Sequence, residues 1–377
     1  MTDIFSANNL LDDLLQRIGT KLQISKTQRE LAEQRYNAVG TWLSKDEILF
    51  GNSMIEIYPQ GSLSISTTVK PLSKQEFDLD LVCQINQSWQ GKDPLKLLDS
   101  IEKRLKENKT YEGMVERKNR CIRLNYANEF HMDILPAHPL DKSFNTKIKV
   151  PDRKAKEWKD SNPKGYTSWF NERSSQFNEA LFEVRAGIEP LPDEDHIERK
   201  APLKRAVQLM KRYRDIYFEI DPDSAPISIV LTTLAGKYYS GQSSVNETIS
   251  HVLESILFNL PRDGGRLVVL NPTNEKEDLS ERWDENPDLY KSFLKFIRYF
   301  KKKWDYVNEL SGIKEIAEEL KVMFGENVTI ESFKDQADYV SKVRKHNRLA
   351  ITGIGSLVAA TKENHATSVK ANTFYGS

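Results

Sequence analysis

Tyr58-Pro59-Gln60-Gly61-Ser62-Leu63-Ser64, followed by Phe77-Asp78-Leu79-Asp80-Leu81-Val82-Cys83, is the stretch from which the fold is read. The second segment carries two acids, one residue apart, inside an apolar run. On a strand, side chains two positions apart project to the same face, so Asp78 and Asp80 point the same way. Neighbouring carboxylates repel and are costly to bury unless a cation neutralises them. Hard oxygen ligands indicate Mg²⁺ or Mn²⁺ rather than zinc.

Working outward, Arg120-Cys121-Ile122-Arg123-Leu124-Asn125-Tyr126 alternates, and Phe130-His131-Met132-Asp133-Ile134-Leu135-Pro136 reads as the strand that follows it. Asp133 would then join the pair from an adjacent strand. Three aspartates could hold two ions about 3.5–4 Å apart, one activating an attacking hydroxyl and the other steadying the leaving pyrophosphate. The Gly61-Ser62 turn follows a short strand expected over Met54 to Tyr58 and opens a short helix, whose free N–H groups favour phosphate oxygens. Gly61 lets the backbone come close, and Ser62 adds a hydroxyl donor. A Gly-Ser pair alone is usually a turn, and Asp-x-Asp alone is usually a solvated strand end. Their order and their placement on strands carry the signal.

Gly61-Ser62, Asp78-x-Asp80 and Asp133 together resemble the catalytic signature of the polymerase β superfamily of nucleotidyltransferases. Within it the chain most resembles the bacterial CD-NTases, the cGAS/DncV-like enzymes that make cyclic oligonucleotide signals in CBASS antiphage defence. Ala201-Pro202-Leu203-Lys204 through Lys211-Arg212-Tyr213 is similar to the family helix that supplies triphosphate-binding lysines. Ala225-Pro226-Ile227-Ser228 resembles the start of the next helix, whose serine touches phosphate, and Asn271-Pro272-Thr273-Asn274 with Asp278 to Trp283 resembles a further segment. The similarity spans about residues 50–300.

The resemblance implies an α+β fold, with a polymerase β-like palm of mixed sheet and a C-terminal helical bundle in a bilobal arrangement. It implies catalysis and metal binding by Asp78, Asp80 and Asp133 with two Mg²⁺ (or Mn²⁺) ions, and nucleotide contacts from Gly61, Ser62, Lys204, Lys211 and Ser228. The implied substrates are ATP and/or GTP, with other nucleoside triphosphates open, and the product a cyclic di- or trinucleotide. It further implies a ubiquitin-transfer-like ancillary protein acting on the C-terminal tail. Spacing adds that Lys204 and Lys211, seven apart, share one helix face. Two rival readings use the same residues. A template-independent transferase acting on RNA or protein should show a basic stripe if RNA is its substrate, and a catalytically inactive nucleotide sensor would not need all three acids.

Composition narrows the classes. At 377 residues with 38% hydrophobic and 10% aromatic content the chain can bury a substantial core. Lys plus Arg and Asp plus Glu are both 55, so no global field exists to hold a nucleic-acid duplex. No run of about 18 apolar residues suggests a membrane span, and the acidic start Met1-Thr2-Asp3 lacks a secretory signal's basic flank, which points to a cytoplasmic protein. Two cysteines, Cys83 and Cys121, support neither a zinc knuckle nor a disulfide framework.

Periodicity predicts N-terminal spine helices over 1–50 with breaks near Gly19 and Ser25, and a catalytic core over 51–164 with one helix near Pro94 to Glu107. The stretch Lys147 to Gly165 reads as an exposed crossover. A helical lobe follows over 165–360, with helices near 166–182, 201–218, 226–240, 246–259, 285–306, 312–324 and 330–346, and a flexible tail over 361–377.

Overall fold

The computed structural model describes residues 7–45, 54–72, 77–127, 130–141, 146–174, 200–345, 349–351, 357–359 and 367–368. Two helices lead the chain, α1 (Ala7–Lys21) and α2 (Lys26–Ser44). Ser25 caps α2 in a reciprocal box with Gln28, which satisfies the first free N–H groups and fixes the break between the helices. The expected break near Gly19 is corrected: α1 runs through it to Lys21. The glycine is required by packing, because a Cβ there would lie 2.8 Å from Arg205 Cδ.

The palm follows as β1 (Ile55–Gln60), the four-residue α3 (Gly61–Ser64), β2 (Phe77–Ile85), α4 (Pro94–Lys106), β3 (Val115–Arg117), β4 (Ile122–Tyr126), β5 (Phe130–Pro139), β6 (Ile148–Asp152) and β7 (Glu157–Ser161). The strands pair in the order β1-β2-β5-β4-β3, with β6 and β7 continuing from the far end of β5. β2 and β5 are parallel and every other pair is antiparallel, so the sheet is mixed. Odd positions of β2 (Phe77, Leu79, Leu81, Cys83, Ile85) face a core closed by α2 and by Leu97, Leu98, Ile101 and Leu105 of α4. Even positions take the opposite face, and Asp78 and Asp80 are among them.

The segment expected to be an exposed crossover is instead the β6–β7 hairpin, with Val150, Pro151 and Asp152 buried and the turn closed at Lys156 in the left-handed region. Beyond it come α5 (Pro163–Arg173), α6 (Pro202–Tyr217), α7 (Ser228–Tyr238), α8 (Val245–Phe258), the hairpin β8 (Leu270–Asn271) and β9 (Asn274–Asp278), α9 (Arg282–Glu285), α10 (Pro287–Glu309), α11 (Ile313–Phe324) and α12 (Glu326–Lys345). α5 begins earlier than its periodicity predicts because Asn162 accepts from Gly165 N and Pro163 occupies the first turn. The expected continuation to residue 182 lies outside the described residues, as does most of the tail over 361–377. Three short strands, β10 (Leu349–Ile351), β11 (Leu357–Ala359) and β12 (Thr367–Ser368), pair with one another.

The helices close a second core. Phe293, Phe296, Ile297, Phe300, Trp304 and Val307 recur at helical spacing along α10 and pack with α6, α7, α8 and α11. Leu11, Leu15, Ile18 and Leu22 join this core, whereas Ala32, Tyr36, Val39 and Leu43 of α2 join the sheet's core. The spine therefore ties both units together. Among the described residues, no helix is long and apolar enough to cross a membrane.

Candidate active site

Parallel pairing of β2 with β5 sets Asp80 opposite Asp133 and Asp78 opposite His131. The three predicted acids therefore meet on one face of two central strands. Arg123, on the neighbouring β4 and opposite Asp133 in register, lies across them. Its Nε and Nη2 donate to Asp133 Oδ1 and Oδ2 at 2.7 and 2.8 Å, and Nη2 reaches Asp78 Oδ1 at 3.3 Å. Hydrogen bonding to Asp133 holds the guanidinium well above its usual range.

Asp80 is the innermost acid. A rim of its surface stays accessible, yet protein atoms surround it densely, and burial followed by the charges of Asp133 and Asp78 pushes its carboxyl up to about 8. Asp78 is pushed up too, chiefly by burial, with Arg123 and His131 opposing. An acid cluster this unfavourable in isolation is what a multivalent cation would relieve.

Gly61 opens α3 with φ +66°, and a Cβ there would collide with Asp80 Oδ2. The turn is thus seated directly against Asp80. Ser62 accepts Thr67 N through its carbonyl, and its hydroxyl has no partner among the described residues. Ser66, at φ 56°, turns the chain so that Thr67 meets α6. There Lys211 Nζ donates to Thr67 Oγ1 at 2.9 Å and to its carbonyl at 3.3 Å. Lys211 is 6% exposed. Burial, then the neighbouring Arg214, lowers its ammonium to about 7, against the pull of Asp215 and Asp80. Lys204 is buried two turns upstream.

Ser228 begins α7, and its hydroxyl accepts from Arg214 Nη1 at 2.5 Å. Arg214 also donates to Pro226 O at 3.2 Å and to Asp215 Oδ1 at 2.8 Å. Arg123 and Arg214 are cations that the motif reading passed over. Both had a signal in the sequence: Arg123 stands in the alternating run beside the third acid, and Arg214 stands one helical turn beyond Lys211.

The Asn271 to Trp283 segment acts as a clamp. Asn271 Nδ2 and Ser161 Oγ donate to the two oxygens of Glu277 at 2.7 and 2.8 Å, while Asn162 Nδ2 donates to the carbonyl and hydroxyl of Thr273 at 3.1 and 3.0 Å. Trp283 enters the helical core. The hairpin so joins the end of β7 to the helices.

A domain model described as Second Messenger Oligonucleotide or Dinucleotide Synthetase matches residues 9–174. A c-di-GMP synthase from Roseivirga ehrenbergii is 37% identical over 378 residues, covering 98% of each chain. The chain belongs to the CD-NTase family. This CD-NTase is also 26% identical to the cyclic dinucleotide synthase CdnG of Bradyrhizobium diazoefficiens over 86% of its own length and 82% of CdnG. The structure of that CdnG in complex with GTP superposes with a TM-score of 0.69 at 24% identity, covering 87% of this chain and 99% of the other. The polymerase β-like fold and the assignment as a nucleotidyltransferase that makes cyclic oligonucleotides follow from these matches together.

Proposed function

We propose that this CD-NTase joins two GTP molecules into cyclic di-GMP, in a metal-dependent reaction that serves antiphage signalling. The observation that supports it most is the convergence of Asp78, Asp80 and Asp133 beside Gly61 and Lys211, in a chain related end to end to a c-di-GMP synthase. The donor set fits a divalent ion: three hard carboxylates converge, and a guanidinium already serves as their counter-cation. Asp78, Asp80 and Asp133 would hold Mg²⁺ or Mn²⁺, which when bound supplies charge neutralisation and a more acidic attacking hydroxyl.

The chain's own residues do the positioning. Gly61 lets the backbone approach a triphosphate, and the Ser62 hydroxyl donates to it. Lys211 faces the same polyphosphate, whose oxygens would draw its ammonium back toward the charged form. Arg214, holding Ser228, places a second cation one turn away. A ribose hydroxyl of one nucleotide attacks the α-phosphate of the other, the new O–P bond forms as pyrophosphate leaves, and a second such step closes the ring.

The test is mass spectrometry of reactions with each triphosphate and all four together in Mg²⁺ or Mn²⁺, with Asp78→Ala plus Asp80→Ala as control. GTP alone should yield a cyclic dimer of GMP. A product that forms only with ATP, CTP or UTP present overturns the assignment of GTP as sole substrate. Absence of pyrophosphate from every mixture overturns the synthase reading. The signalling role is tested by plaque counts in a host carrying the wild type or the double variant with its neighbouring genes.

A further inference from the structure

On the face of the sheet opposite the acids lies a cavity of about 300 Å³, lined by the C-terminal end of β2, the start of α4 and His138 of β5. Its volume sits at the lower end of the range for small-molecule sites. Asp80 and Ile85 are five residues apart on β2, as are Asp133 and His138 on β5, so about 17 Å of strand separates cavity from acids. The odd spacing puts the two on opposite faces.

His138 is the informative residue. It is 2% exposed, and its Nδ1 lies 2.9 Å from the carbonyl of Ile85. A carbonyl only accepts, so the ring's proton sits on Nδ1 and Nε2 is left as a bare lone pair. Nε2 has no hydrogen-bond partner among the described residues. Burial, with the nearby Lys92 ammonium adding to it, keeps the imidazole neutral. That lone pair can accept an N–H or O–H from a ligand in the cavity. The ring is also held in place, 5.4 Å from the ring of Trp158.

The rim supplies the other half of the recognition. Lys92 and Lys96 both line the cavity, against the single carboxylate of Asp93, whose Oδ1 is already engaged by Leu95 N at 2.8 Å. Lys96 stands in the first turn of the 13-residue α4, where the helix dipole adds positive potential. Lys92 and Lys96 are exposed and make no contact with the acid cluster.

We propose that this cavity is a second ligand site, separate from the nucleotide cleft, for a small molecule bearing an oxyanion and a hydroxyl. The oxyanion lies against Lys92 and Lys96, and the hydroxyl donates to His138 Nε2. Phosphate and carboxylate share this chemistry, so the test carries an arm for each. In the ¹⁵N-labelled full chain, the His138 ring signal is identified by its loss in His138→Phe and followed during titration with glycerol 3-phosphate, with malate, and with glycerol. A saturable shift of Nε2 with either oxyanion and not with glycerol is expected. Lys92→Ala plus Lys96→Ala should weaken the binding about tenfold or more, as loss of charge-assisted contacts requires. No shift with either oxyanion overturns the proposal, as does an equal response to glycerol or one that the double variant leaves unchanged.

Discussion

Gly61 and Asp80 are in such close approach that a Cβ on the glycine would sit 3.1 Å from the aspartate's Cγ and nearer still to Oδ2. The Gly61 turn and the innermost acid are therefore one mechanical unit. Gly61→Ala must either push Asp80 aside or strain a backbone at φ +66°, a conformation that costs an L-residue about 1–2 kcal/mol. The expected result is pyrophosphate release reduced by about 100-fold, because a displacement of the order of 1 Å at a reacting centre has that scale. The far-ultraviolet circular dichroism spectrum should be unchanged. A variant that retains wild-type turnover would show that Asp80 does not need this position.

Asp80 and Lys211 are each buried at a cost to their charged forms. The Asp80 carboxyl is raised to about 8, so the folded state holds its proton more tightly than the unfolded chain does. Its contribution to stability is complete below about pH 4 and is lost as pH rises through 8. Lys211, lowered to about 7, has the opposite sign. The folded state sheds that proton early, so the chain gains stability as pH rises from 7 toward 10.5. In metal-free and nucleotide-free solution, Asp80→Asn should therefore melt above the wild type at pH 8–9 and converge with it near pH 4. Lys211→Met should melt above it below pH 7. Shifts of about 2–4 °C are expected, with synthesis abolished in both. Melting points below the wild type across this whole range would contradict the burial argument.

How much of this was legible beforehand follows from where each residue gets its partner. The acids could be placed on one face because β-strand alternation is local, and Phe130 to Pro136 alternates around Asp133 as Phe77 to Cys83 does around Asp78 and Asp80. The parallel register that sets Asp80 against Asp133 is non-local and came only with the sheet. The contact of Arg123 with Asp133 is non-local in the same way, since it depends on β4 lying beside β5, although the alternating run around Arg123 gave a hint of it. Gly19 misled because glycine in a helix pattern signals a break, while here the demand comes from Arg205 on a helix far along the chain. The β6–β7 hairpin was missed because Pro151 and the charged run around it look like a loop, although Val150 and Asp152 are buried.

Arg123 occupies the place where a cation is expected, bonded to Asp133 and Asp78. On the proposed metal-dependent reaction, an ion at these acids would have to compete with it. Arg123→Gln should lower the Mg²⁺ concentration for half-maximal pyrophosphate release by about 3- to 10-fold, the scale of one charge-assisted contact. The metal-free variant should also melt below the wild type, because the acids lose their counter-charge. A requirement for more Mg²⁺ in Arg123→Gln would instead assign the guanidinium to the nucleotide.

Glu277 is the keystone of the clamp between β7 and the helices. Burial raises its carboxyl, and hydrogen bonds from Asn271 and Ser161 pull the other way. Glu277→Ala leaves the Asn271 amide and the Ser161 hydroxyl without their acceptor, a loss of about 3 kcal/mol at one to two per orphaned group. Glu277→Gln keeps one acceptor and the shape, and should lose about 1 kcal/mol. Because the folded pKa is raised, the wild type's margin over the glutamine variant should shrink as pH rises. Urea melts of the three proteins check the order. If alanine and glutamine were equally stable, packing of the side chain's stem would be holding the hairpin, and the hydrogen bonds from Asn271 and Ser161 would carry no weight.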